Sequence, residues 1–125
     1  MELLHNFSLI HDDVQDRSDT RRGRPTVWVR WGEAQAINAG DAMFTLAHLA
    51  LPRLAPAYPA ELILQVLQTL DETCLRLTGG QYLDLSFERL PAVSLDQYRE
   101  MIAGKTGALI ACSARIGGLL GGADP

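Results

Sequence analysis

Apolar residues spaced three and four apart, in one segment after another, constrain this chain to helices. The opening ELLHNFSLIHDDVQD sets Leu3, Leu4, Phe7, Ile10 and Val14 at that spacing, which makes one face of a helix apolar. No Ser, Thr, Asp or Asn precedes it as a cap, as expected of a chain that starts inside a longer helix. After Asp16 the stretch RSDTRRGRPT loses the period and holds a Gly and a Pro, so it reads as a loop. The next helix is expected from about Gly32 to Leu51, ended by Pro52, with Ala34, Ala36, Ala39, Ala42 and Ala47 allowing close helix contact. A turn with Pro56 and Pro59 follows, and from Ala60 the helical period resumes.

In that third helix Gly79 and Gly80 interrupt the pattern, each at about 1 kcal/mol relative to Ala. Either the helix breaks there or the glycines serve a close approach. Past Pro91, Ser94 with Gln97 three residues on forms a capping box that opens a last helix through YREMIAGKTGALIACSARIGGLL. Strand alternation is nowhere sustained. The expected class is all-α, antiparallel helices joined by short loops.

At 125 residues the chain suits one domain or a part of one. A hydrophobic fraction of 47% with 6% aromatics fits a helical globular protein. The net charge of −4 argues against nucleic acid as a partner, yet five of the eleven cations (Arg17, Arg21, Arg22, Arg24, Arg30) fall within fourteen positions, enough to meet a small anion. Cys74 and Cys112 have no ligand spacing and read as reduced, buried thiols, which points to the cytoplasm. No run approaches the ~18 apolar residues of a membrane span, so a soluble protein is expected.

The chemistry concentrates in IHDDVQDRSDTRRGRPT. On a helix, Asp12 and Asp16 stack one turn apart, about 6 Å along the axis, with Asp13 turned away from them. Two carboxylates at ~6 Å repel by about 3 kcal/mol at an effective dielectric near 20, so they want a counter-charge. Water, arginine or a hard divalent cation supplies it. Mg²⁺ takes one or two carboxylates and leaves positions for phosphate oxygens, and guanidinium groups grip phosphate with paired hydrogen bonds. A solvated helix end with surface ion pairs is the plainer reading of such a cluster.

HDDVQDRSDTRRGRPTVW resembles the first aspartate-rich region of trans-isoprenyl diphosphate (polyprenyl) synthases. AGDAMF (Ala39 to Phe44), GGQYLDL (Gly79 to Leu85) and GKTGALI (Gly104 to Ile110) continue the likeness in order and spacing. The resemblance implies the isoprenoid synthase fold, here an incomplete bundle, and a prenyltransferase that joins an allylic diphosphate to isopentenyl diphosphate. It implies Mg²⁺ held by Asp12 and Asp16 with Asp13 in support, Arg21 on the allylic diphosphate, and Arg22 on that of isopentenyl diphosphate. Gln81 and Asp84 would face the reacting region, and Lys105 and Thr106 would reach the allylic diphosphate. Catalysis would rest on Asp12, Asp16, Arg21 and Lys105. Lys105 is the one lysine among eleven cations.

Product length would be set near Leu4, Phe7 and Ser8, upstream of the aspartates. One aromatic at Phe7 beside the small Ser8 suggests a C20 product of the geranylgeranyl class, with C15 open and Phe7 as ordinary core open beside both. The family's upstream isopentenyl diphosphate motif and second aspartate-rich motif are absent from residues 1–125, so the chain is expected to be the central part of one synthase domain, inactive alone. Homodimerisation is implied by the family.

Rival readings are a non-catalytic diphosphate-binding or subunit-interaction module and a class I terpene cyclase, against which the RRG and Pro after the aspartates weigh. The GKT at Gly104 lacks the glycine of a phosphate-binding loop, since Arg99 stands there. Asp13 to Arg24 fails the EF-hand pattern at Gln15 and Ser18.

Overall fold

The protein is described by a computed structural model over residues 1–122, in two compact units, Met1–Leu54 and Ala55 onward.

In the first unit, α1 (Glu2–Gln15) and α3 (Glu33–Leu49) pack antiparallel, with Phe7 edge-on to Phe44 and the His11 ring against Gly40. Their period places Leu4 and Val14 of α1 and Ala36, Gly40 and Ala47 of α3 out of water. Leu4 is 1% exposed, and burying a side chain of that size stabilises the fold by about 2 kcal/mol. Of the expected alanine contacts, Ala36 and Ala47 are buried whereas Ala34 and Ala42 stay exposed. Gly40 is the position on α3 that takes the His11 ring, where an added Cβ would collide with it.

The stretch after α1, expected to be a loop, is tightly built. The Ser18 amide donates to the Asp13 carbonyl at 3.0 Å and the Arg17 amide to Val14 at 3.4 Å, with Arg17 at φ +53°. That is a Schellman cap with arginine where glycine is usual. Next, β1 (Thr20–Arg21) and β2 (Arg24–Pro25) form a minimal antiparallel hairpin, Thr20 opposite Pro25 and Arg21 opposite Arg24. Its two-residue tip, Arg22 at φ +52° and Gly23 at +74°, has both residues left-handed, as a hairpin turn matched to strand twist requires. An unexpected five-residue helix, α2 (Val27–Trp31), follows, and Gly32 at φ +87° breaks it from α3. α3 ends at Leu49, and Pro52 lies inside the 3₁₀ turn Leu51–Leu54.

In the second unit, α4 (Ala60–Phe87) runs unbroken through Gly79 and Gly80. Antiparallel to it lie α5 (Leu95–Ile102), a π turn (Ala103–Gly107) and α6 (Ala108–Leu120). The Ser94 capping box forms, its hydroxyl accepting from the Gln97 amide and the Gln97 side chain accepting from the Ser94 amide. Val66, Thr69, Leu70 and Thr73 of α4 are buried, as are Met101 of α5 and Ala108, Cys112, Ile116 and Leu119 of α6. The last helix is therefore one rod with a widened turn at AGKTG, a feature that apolar spacing alone does not signal. No helix of the described residues is long and apolar enough to cross a membrane.

Candidate functional site

In the first unit the charged residues gather where α1 ends and the hairpin folds back. Asp12, Asp13 and Asp16 lie on the last turn of α1 and its cap, the Asp16 amide donating to the Asp12 carbonyl at 2.8 Å. Arg21, on β1, reaches back across two carboxylates: Nη2 is 3.1 Å from Asp12 Oδ2, and Nε is 2.8 Å from Asp13 Oδ1. Asp13 is buried, its side chain 5% exposed against 17% for Asp12. Spacing turned Asp13 away from the other two aspartates; in the structure that direction points it at Arg21. Asp16 is exposed, and Arg22 stands exposed at the hairpin tip.

Residues the sequence did not single out hold this hairpin in place. The Ser18 carbonyl accepts from Thr26 Oγ1 at 2.9 Å and from Trp28 Nε1 at 2.8 Å. Thr26 is 4% exposed, so its hydroxyl is committed to the loop backbone. Arg17 lies over the Trp28 ring at 5.7 Å and pairs with Glu33 at 2.9 Å. Behind the aspartates, His11 Nε2 donates to the Ile37 carbonyl at 3.2 Å, with Asp41 Oδ1 3.5 Å away. A Cβ at Gly40 would collide with the His11 ring. The Trp two residues after Thr26 and the Gly-Asp of AGDAMF were the available signals for these contacts.

Leu4, Phe7 and Ser8 lie on α1 one to two turns before Asp12. Leu4 is core; Phe7 sits between Phe44 and His11, at 5.1 and 5.4 Å between centroids; Ser8 Oγ donates to the His5 carbonyl at 2.8 Å.

In the second unit, Lys105 Nζ donates to Asp84 Oδ2 at 2.5 Å. Gln81, three residues before Asp84 on α4, is half-buried, and Thr106, next to Lys105 in the π turn, is exposed. Further back on α4, burial pushes the Cys74 thiol up to about 11, with Asp71 and then Cys112 adding to the shift.

Among the described residues no three His, Cys, Asp or Glu side chains converge as a metal cage. A hard, all-oxygen pair one helical turn apart instead fits Mg²⁺, which takes one or two carboxylates and completes its shell with water and phosphate oxygens.

Comparison with known proteins gives a consistent result. A family profile described as Polyprenyl synthetase matches residues 1–125. The chain is similar to geranylgeranyl diphosphate synthase of Methanosarcina mazei, 46% identical over 124 residues, covering 99% of this chain and 38% of that protein. It is equally similar to (2E,6E)-farnesyl diphosphate synthase of Mycobacterium tuberculosis, 46% identical over 128 residues, covering 98% of this chain and 33% of the relative. Among solved structures, geranylgeranyl pyrophosphate synthetase from Pyrococcus horikoshii matches at TM-score 0.94 and 45% identity, covering 99% of this chain and 37% of that one. The chain thus spans well under half the length of these relatives.

Proposed function

The chain belongs to the polyprenyl synthetase family, and from that premise we propose that it is the central part of one domain of a prenyltransferase. The reaction joins an allylic diphosphate to isopentenyl diphosphate and yields a C15 to C20 prenyl diphosphate. The single observation that carries this reading is Arg21 held across Asp12 and Asp13 at the end of α1, beside Asp16. Carboxylates alone repel a diphosphate; carboxylates set among arginines and able to take a hard cation attract one.

Asp12 and Asp16 are the proposed Mg²⁺ ligands, with Asp13 in support. The metal, when bound, supplies Lewis-acid stabilisation of charge on the diphosphate oxygens. Arg21 grips the allylic diphosphate, and Arg22, exposed at the hairpin tip, takes that of isopentenyl diphosphate. Lys105 and Thr106 are assigned to the allylic diphosphate as well, by the resemblance. When the allylic C1–O bond breaks, its electron pair leaves on diphosphate, and the guanidinium of Arg21 and the ammonium of Lys105 lower the barrier by meeting that charge. The C3–C4 double bond of isopentenyl diphosphate then attacks C1, and loss of a proton restores an alkene. Gln81 and Asp84 are assigned to the reacting region, and Leu4, Phe7 and Ser8 to the limit on product length.

A cytoplasmic homodimer is part of the same reading. The stripe of Leu64, Leu75 and Tyr82 on α4, at 63, 75 and 69% exposure, supports association through that helix. The two free cysteines support a reducing compartment.

Calorimetric titration of the full-length protein with a non-reactive allylic thiodiphosphate tests the site. Binding should require Mg²⁺ and should weaken about tenfold or more in Asp12→Ala and in Asp16→Ala, each of which removes a carboxylate from the hard-cation site. Binding that ignores both the metal and these substitutions would leave a diphosphate-binding module without the proposed chemistry.

A further inference from the structure

The two glycines that interrupt α4 differ in their surroundings. A Cβ at Gly79 would meet nothing within 4 Å. A Cβ at Gly80 would fall 2.6 Å from the Gly104 carbonyl carbon and 2.8 Å from Lys105 Cα, and nearer still to the Lys105 amide nitrogen. The contact is reciprocal. A Cβ at Gly104 would lie 2.9 Å from the Arg76 carbonyl oxygen and 3.0 Å from Gly80 Cα. Backbone therefore packs on backbone at this level, with no side chain to retract and relieve a collision.

The place of this contact is the π turn, where the Ala108 amide donates five residues back to the Ala103 carbonyl. One turn along α4 from Gly80, on the same face, stands Asp84, which accepts from Lys105 Nζ at 2.5 Å. Lys105 is thus fixed at two points on one helix: its backbone lies over Gly80, and its ammonium lies on Asp84. A long, flexible ammonium has many rotamers, and these two anchors select one.

We propose that Gly80 and Gly104 are positioning residues for Lys105: their glycine-on-glycine contact seats the widened turn on α4 and aims the ammonium along that helix. The proposal rests on the assignment of Lys105 to the allylic diphosphate. An added Cβ lifts the π turn from α4 and carries Lys105 with it. A displacement on the order of 1 Å at a charge-stabilising group lowers turnover by about a hundredfold.

The test is a double-mutant cycle in the full-length protein, reading kcat and KM for each substrate with thermal unfolding alongside. Gly80→Ala should lower kcat about as much as Lys105→Ala does, leave KM for isopentenyl diphosphate unchanged, and add almost nothing in the Lys105→Ala background. Gly79→Ala should keep full turnover. Gly104→Ala, with the looser contacts, reads the same cycle if Gly80→Ala fails to fold. Multiplying effects of Gly80→Ala and Lys105→Ala would overturn the proposal while leaving the role of Lys105 intact, as would an equal loss in Gly79→Ala. An unchanged rate in Lys105→Ala would remove the assignment of Lys105 and the proposal with it.

Discussion

Arg21 is one guanidinium serving two carboxylates, and its geometry depends on the planar fork that lysine lacks. Asp13 is nearly closed to solvent, so removing its partner leaves a buried charge unmatched. Arg21→Met should destabilise the fold by about 2 kcal/mol in urea unfolding, less than a fully buried pair, because Arg21 keeps 33% exposure. Arg21→Lys should recover only part of that loss. A second residue gives a pH signature. The Cys74 thiol is raised from 9.0 to about 11, so between those values the unfolded chain releases the proton while the folded one keeps it. The Cys74 contribution to stability should therefore be constant below pH 9 and be lost from pH 9 to 11, and Cys74→Ala should reduce the fall in that window.

Helix ends and helix glycines carry predictions of their own at the scale of the element. Ser94→Ala removes the hydroxyl acceptor of a complete capping box and should lower the melting stability of α5 by about 1 kcal/mol. Gly79→Ala, in open space within α4, should raise stability by about the same amount. The capping box, the spans of α1 and α3 and the start of α4 were legible because apolar spacing and Ser-to-Gln spacing act locally. The Schellman cap and the hairpin were not, because Arg17 in the cap and Arg22, the first of the two tip residues, are left-handed where glycine or asparagine would mark the turn, and Gly23 alone does not specify it. The glycines at 79 and 80 read as one ambiguous pair in sequence. Packing separates them, since only Gly80 has a backbone pressed against it.

At the scale of the molecule, resemblance and comparison agree on the polyprenyl synthetase family, whose profile matches the whole of this chain. The aspartates and arginines of the opening stretch stood out by charge as a candidate cation and anion site, with a solvated helix end open beside it, and the family resemblance is what pointed them to a diphosphate. Their supports, Thr26, Trp28 and the His11 seat on Gly40, did not stand out, since each depends on a contact that helical or strand spacing does not encode. The proposed elongation of an allylic diphosphate can be measured by incubating the full-length protein with labelled isopentenyl diphosphate, Mg²⁺ and each allylic primer. Label should appear in C15 to C20 prenyl diphosphates, be lost on chelation and fall at least a hundredfold in Asp12→Ala. Label that stays in isopentenyl diphosphate with every primer, or primer converted to a cyclised hydrocarbon without uptake of label, would contradict elongation.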